Sequence, residues 1–158
     1  MAIKNIVIDC DGVLTDGKKY VGPDGEREMV AFHARDNEAI KLLQDDGLRV
    51  IIVTASRFSG IRRYWMNRGV EVFSLPGHKT RLAEEAGIDW SETIGVGDDL
   101  IDVGFLNKCA QGYVVADAHP QMRQRFPVLR TRGGYGIMAE VYEKLAFNYQ
   151  LNGTNTIA

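Results

Sequence analysis

Apolar and polar positions along the chain fall into two alternating patterns. Short runs rich in β-branched residues cover Asn5 to Asp9, Arg49 to Thr54, Val70 to Ser74, Thr93 to Gly97 and Gly112 to Ala116, with a weaker run at Val128 to Thr131. Between them, apolar residues recur with the period of a helix face over Asn37 to Asp46, Gly60 to Arg68, Lys79 to Ala86, Asp99 to Lys108, Pro120 to Arg125 and about Ile137 to Tyr149. The first three segments are followed by Gly47, Gly69 and Gly87, the residue type that most readily takes the left-handed conformation closing a helix. Strands apolar on both faces, alternating with helices, predict an α/β fold: a Rossmann-like, doubly wound parallel sheet with helices on both sides. In such a sheet a ligand lies outside the carboxyl ends of the strands.

One segment interrupts the alternation. From Lys18 to His33, "KKYVGPDGEREMVAFH" sets Gly22-Pro23-Asp24-Gly25 between two strand-like runs, which predicts a β-hairpin rising beside the site like a flap. No linker or repeat divides the rest. A chain of 158 residues suits one domain, expected over 1–150, with the flap at 18–33 and a polar, frayed tail over 151–158.

Composition narrows the partners. A net charge of −2 lacks the basic excess that nucleic-acid binding demands, so no nucleic-acid partner is expected. No apolar segment reaches the length of a membrane span, and the first residues run into a strand without a signal-peptide pattern. A cytoplasmic protein without a membrane partner is therefore expected. Cys10 and Cys109 lack metal-site spacing and are read as small buried hydrophobes. His33, His78 and His119 are scattered and are read as surface or packing residues, and Trp65 and Trp90 as core or interface.

The chemistry gathers at the predicted carboxyl ends. Asp9 ends the first strand with Asp11 just beyond, Thr54-Ala55-Ser56 ends the second, Lys79 opens the helix after the third, and Gly97-Asp98-Asp99 ends the fourth. Two carboxylates at a buried strand end repel each other and lose hydration unless a cation or proton compensates them. Asp9, Asp11 and Asp98 offer the hard oxygen ligands that Mg²⁺ takes, with positions left for water or substrate. Phosphoryl transfer needs an in-line nucleophile, positive charge on the equatorial oxygens and a proton for the leaving alcohol. Asp9 is the candidate nucleophile, Asp11 the general acid and base, and Lys79 and the Thr54 hydroxyl the phosphoryl ligands, with backbone N–H groups around Gly12 adding donors. Each residue alone has a plainer reading: Asp98 or Asp99 as a helix cap, Thr54 as a strand former, Lys79 as a solvated helix residue. Their order at successive strand ends is what argues for a site.

These motifs, "DCDGVLTDG", "VTAS", Lys79 and "GVGDDLID", resemble those of the haloacid dehalogenase superfamily of phosphohydrolases. With "FHARDN", "VVADAHP" and "GGYGIMAEV" the resemblance narrows to its cap-less branch of sugar-acid phosphate phosphatases and covers residues 4–145. It implies Asp9 as nucleophile, Asp11 as general acid and base that also lends a backbone carbonyl to Mg²⁺, Thr54 and Lys79 as phosphate ligands, and Asp98 as a metal ligand. It further implies a homotetramer in which a neighbour's hairpin closes the site. Independently, the interval from Asp11 to Thr54 is too short to hold an inserted domain of typical size.

The chain departs from the branch at three places. Thr54-Ala55-Ser56 stands where the branch has Thr-Gly-Arg, Asn37 replaces a glycine, and Gly134 to Glu140 lacks an arginine. Arginine recognises carboxylates bidentately, so Arg57 and Arg35, with Ser56 and Gly12, are the expected substrate contacts. The expected activity is Mg²⁺-dependent hydrolysis of a small phosphorylated metabolite, a 3-deoxy-2-keto sugar acid phosphate being the class implied. The alternatives are a signalling module phosphorylated on aspartate and a non-catalytic assembly domain.

Overall fold

The structure, a computed structural model, describes residues 2–151, with side chains through residue 146. Of the expected polar tail over 151–158, Leu151 closes the last helix and residues 152–158 lie outside the described residues. In chain order the elements are β1 (Asn5–Asp9), β2 (Tyr20–Val21), β3 (Arg27–Met29), α1 (Ala34–Asp45), β4 (Arg49–Thr54), α2 (Ser59–Met66), β5 (Glu71–Ser74), α3 (Leu82–Ala86), β6 (Thr93–Gly97), α4 (Val103–Leu106), β7 (Gln111–Val114), α5 (Pro120–Arg125) and α6 (Ile137–Leu151).

Five strands form one parallel sheet in the order β5-β4-β1-β6-β7. From central β1 the chain winds outward through β4 and β5, then returns to the other side for β6 and β7. That reversal opens a crevice at the carboxyl end of β1. Every residue of β1 and β6 is buried, as expected of strands covered on both faces. Trp65 and Phe105 are among the largest fully buried side chains, and Trp65 packs edge-on against Phe32 and Tyr64. Helices α1 and α6 pack together. The buried Asp36 carboxylate of α1 accepts the Met138 N–H at the start of α6, 2.9 Å away, and so supplies a cap that the sequence around Ile137 lacks.

Several boundaries differ from the sequence expectation. Helix α1 starts three residues earlier, at Ala34, because the His33 ring accepts the Arg35 N–H and caps it. The segments after β5 and β6 each begin with a tight turn, Lys79–Arg81 and Leu100–Asp102, before the α-helix proper. The expected strand Val128 to Thr131 shrinks to a single bridge between Val114 and Val128. Pro127 has no N–H to extend that ladder. Strands β2 and β3 form the expected antiparallel hairpin. No cap domain interrupts the chain between Asp11 and Thr54, and no helix among the described residues is long and apolar enough to cross a membrane.

Candidate active site

The site is built on the turn that leaves β1. Asp11 (φ −75°, ψ 121°) and Gly12 (φ 88°, ψ −6°) have the angles of a type II turn, which requires positive φ at its third residue. Glycine meets that requirement, and a Cβ at Gly12 would overlap the Asp98 carboxylate. Thr15 Oγ1 accepts the N–H groups of Gly12 (3.2 Å) and Gly17 (3.1 Å), while the Thr15 N–H donates to the Cys10 carbonyl at 3.1 Å. The Gly12 N–H is therefore engaged within the turn rather than offered to a ligand. A second loop backs this one: the Gly134 N–H donates to the Val13 carbonyl at 2.9 Å, and Gly133 lies so near the Gly12 carbonyl that a Cβ would overlap it.

Behind the turn lies a buried electrostatic cluster. Lys79 Nζ donates to Asp9 Oδ1 at 2.7 Å and to Asp102 Oδ1 at 2.6 Å, and all three side chains are almost wholly buried. Asp102 Oδ2 accepts the backbone N–H groups of Asp98 (2.9 Å) and Asp99 (3.2 Å). One carboxylate thus fixes both the lysine and the loop carrying Asp98. The tight turn Leu100–Asp102 makes this possible, because it folds the Asp102 side chain back toward the end of β6. The His119 N–H donates to the Asp98 carbonyl at 2.8 Å and ties the segment before α5 to the same loop.

Three carboxylates face one ammonium here, and their ionisation reflects it. Burial pushes the Asp9 carboxyl up to about 7; the Asp102 charge adds to this and Lys79 opposes it. Burial and then the charges of Asp9 and Asp102 push Asp98 up to about 9. Burial pulls the Lys79 ammonium down, but Asp9 and Asp102 outweigh it and leave its pKa above the usual lysine value. Asp98 Oδ1 is buried without a hydrogen-bond partner, and oxygens of Asp9, Asp98 and Asp102 all lie within 4.8 Å of one another. An orphaned carboxylate oxygen beside excess negative charge is what a hard divalent cation satisfies.

The cavity above has a volume of about 520 Å³, within the range that holds small metabolites. Asp9, Asp11, Thr54, Ser56, Lys79 and Asp98 all line it, so residues predicted from four separate strand ends do converge. Thr54 Oγ1 accepts the Ser56 N–H at 3.0 Å, and Ser56 Oγ accepts the Phe58 N–H at 3.2 Å, which leaves both hydroxyl protons to donate. The two expected arginines are not among the lining residues. Arg57 lies in a neighbouring groove with Phe58 and Ser59, and Arg35 in a separate depression with Arg130 and Tyr135. Arg27 on β3 lines the cavity instead. Its guanidinium forks onto Asp11, Nη2 to Oδ1 at 2.7 Å and Nη1 to Oδ2 at 3.1 Å. Asp11 therefore turns its carboxylate to the hairpin, while Asp102 completes the acidic group with Asp9 and Asp98.

Arg27 and Asp102 escaped the sequence reading. For Asp102 a signal exists, an acid three residues beyond a helix-capping Asp99. For Arg27 none does, since only the fold of the hairpin brings it to Asp11. The cysteines take no part: burial pushes the Cys10 thiol well up and that of Cys109 up to about 12.

A buried carboxylate held by a lysine, hydroxyl donors from the adjacent strand and a partly exposed second acid suit the transfer of a phosphoryl group. That chemistry, on this sheet, defines a phosphatase of the haloacid dehalogenase superfamily. No protein-family model matches the chain. A curated relative, the 3-deoxy-D-manno-octulosonate 8-phosphate phosphatase of Haemophilus influenzae, is 31% identical over 149 residues, covering 90% of this chain and 82% of its own. The solved cobalt-bound structure of that organism's deoxy-D-mannose-octulosonate 8-phosphate phosphatase matches with a TM-score of 0.84 at 30% identity, over 96% of this chain and 90% of the other. The Moraxella catarrhalis 3-deoxy-D-manno-octulosonate 8-phosphate phosphatase, solved with a magnesium ion, a phosphate ion and a KDO molecule, shares the fold with a TM-score of 0.82 at 24% identity, over 94% of this chain and 93% of its own. The chain belongs to the 3-deoxy-D-manno-octulosonate 8-phosphate phosphatase family.

Proposed function

We propose that the protein is a Mg²⁺-dependent phosphomonoesterase that works through an aspartyl phosphate on Asp9 and acts on a 3-deoxy-2-keto sugar acid phosphate of the 3-deoxy-D-manno-octulosonate 8-phosphate type. The observation that carries this reading is the buried Lys79 bridge between Asp9 and Asp102 beside the unpartnered Asp98 oxygen. With Lys79 on Oδ1, Asp9 Oδ2 is the oxygen that attacks phosphorus. The P–O bond to the alcohol breaks as Asp11 delivers its proton to the departing oxygen. Asp11 then takes a proton from water, whose oxygen attacks the same phosphorus and releases inorganic phosphate and free Asp9. Thr54, Ser56 and Lys79 donate to the phosphoryl oxygens throughout.

Asp9 and Asp98, with the Asp11 carbonyl, would hold the metal, and Asp102 would position rather than ligate, since both its oxygens are occupied. Bound Mg²⁺ supplies positive charge to the phosphoryl oxygens and lets the carboxylates ionise together. Relatives described with cobalt, and with magnesium and phosphate, support this assignment.

The same reading extends to a cytoplasmic homotetramer. Tyr20, Val21 and Met29 expose apolar surface on the hairpin, and a second copy of the chain would cover it. The deciding experiment measures phosphate release from 3-deoxy-D-manno-octulosonate 8-phosphate with Mg²⁺ and with a chelator. Turnover that needs the metal is expected. Release that persists with the chelator removes the metal from the scheme, and no release from any sugar acid phosphate removes the substrate.

A further inference from the structure

We propose that Arg27 is the specificity-determining residue of this site, selecting phosphate esters whose leaving alcohol also carries a carboxylate. The inference rests on the phosphatase reading above and adds what chooses the substrate. A second anionic group on the substrate needs a guanidinium or ammonium in the cavity whose present partner is exposed enough to be exchanged, as the partly exposed Asp11 paired to Arg27 is. Lys79 is committed to Asp9 and Asp102, and Lys19, at the rim, is exposed. Arg27 is the guanidinium among the residues lining the cavity; Arg57 lines an adjoining groove that shares Glu26, Arg27 and Ser56 with it, and Arg35 lies in a separate depression.

Arg27 already holds one carboxylate in the form such a group would need. Its side chain is 9% exposed, its guanidinium lies 5.7 Å from the centre of the Phe58 ring, and its fork grips a carboxylate, that of Asp11, through two nitrogens. This is the bidentate geometry in which arginine recognises carboxylates.

The pairing has a consequence for catalysis. Arg27 engages both Asp11 oxygens and holds the carboxylate toward the hairpin, so exchange of Arg27 to another partner leaves Asp11 freer to turn to a leaving-group oxygen. A substrate carboxylate arriving beside β3 gives the guanidinium a replacement partner and releases Asp11. A neutral sugar phosphate gives none, and Asp11 stays held. Arg27 therefore couples recognition of the acid to the availability of the proton donor.

The test compares wild type, Arg27→Lys and Arg27→Ala on glucose 6-phosphate, gluconate 6-phosphate and 3-deoxy-D-manno-octulosonate 8-phosphate, all with Mg²⁺, reading kcat and KM separately. The first two substrates have equal carbon number and differ at C1, which closes a hemiacetal ring in the neutral ester and is a carboxylate on an open chain in the acid. Wild type is expected to prefer the acids. Arg27→Ala is expected to lower kcat/KM on the acids about ten- to hundredfold more than on the neutral ester, the size of one charged hydrogen-bonding contact. Arg27→Lys, which keeps the charge and loses the fork, falls between them. Should Arg27→Ala fail to fold by circular dichroism, the Lys variant carries the comparison alone. Equal losses on acid and neutral esters would reduce Arg27 to a structural tether and overturn the inference. A wild type that turns over these esters without preferring the acids overturns it too, while leaving the phosphatase intact. No turnover of any acid by wild type overturns the proposed substrate class and this inference together.

Discussion

The floor of the cavity and the hairpin above it both place charge beside the β1 turn, yet they are made differently. The floor is sheet: Asp9, Lys79 and Asp102 are buried, bonded to one another, and anchored by strands whose every residue is covered. The hairpin is a pair of strands of two and three residues with Tyr20, Val21 and Met29 exposed, joined to the floor by the Arg27 fork on Asp11. A two-stranded ribbon of that size is marginal on its own. Burial makes the floor's charges interdependent, so its residues are not free to vary one at a time. The hairpin's charges sit in an element that forms its own two-stranded sheet and adds no strand to the central one. On the proposed reading, chemistry belongs to the floor and choice of substrate to the flap.

The largest expected effect breaks the floor at its centre. Asp9→Asn should lower kcat by about 10⁴-fold or more, as loss of a covalent nucleophile does, with the fold retained; near-normal phosphate release would show that Asp9 is not the nucleophile. Asp102→Asn should follow, with a loss of activity of about 10- to 100-fold, typical of removing a group that orients ligands. Asp102→Ala should in addition cost about 3 kcal/mol in urea unfolding, because it leaves two backbone donors and part of a buried ammonium unpaired.

A third test sets the floor's compensated acids against Asp36, which is as deeply buried but has one backbone N–H as its partner and a second oxygen with none. Burial pushes Asp36 up to about 6, against only a partial opposing effect of the Met138 N–H. Between its unfolded and folded pKa values the native state binds the extra proton. Its contribution to stability is therefore full below about 4 and is lost as pH rises through about 6. The loss is on the order of 3 kcal/mol for a shift of about two units. Asp36→Asn keeps the acceptor and removes the titration, so its unfolding free energy should lack this fall between pH 4 and pH 7; an unchanged slope would mean Asp36 is not its source.

The smallest expected effect lies on the hairpin. Met29→Ser or Val21→Ser should change protomer stability by no more than about 0.5 kcal/mol, as exposed substitutions do. The same variants should shift the assembly toward smaller species in size-exclusion chromatography if these residues pack against a second copy.

Much of the floor was legible because it is tied to periodicity. A strand's carboxyl end can be found from where its apolar run stops, so Asp9, Thr54 and Asp98 could be placed together without coordinates, and Lys79 followed from the helix after the third strand. The expected helix from Asp99 concealed Asp102, since the tight turn that folds it back depends on reciprocal bonds with Asp99. Arg57 and Arg35, expected as substrate contacts, stand outside the residues that line the cavity in this structure. Each stands close in sequence to a residue of the motifs, but nearness along a chain does not say into which depression a side chain projects.

By itself the sequence determined the alternation of strands and helices, the parallel sheet and the strand ends at which acids and a hydroxyl gather. These follow from burial period and local conformational preference, which act over a few residues. Tertiary structure alone decided that Asp102 joins Lys79, that Asp36 caps a helix 102 residues away, and that Arg27 grips Asp11. Each of these is a pairing of charge or hydrogen bond across space. Its energy depends on distance and on the water excluded around it, and neither is written in the order of residues.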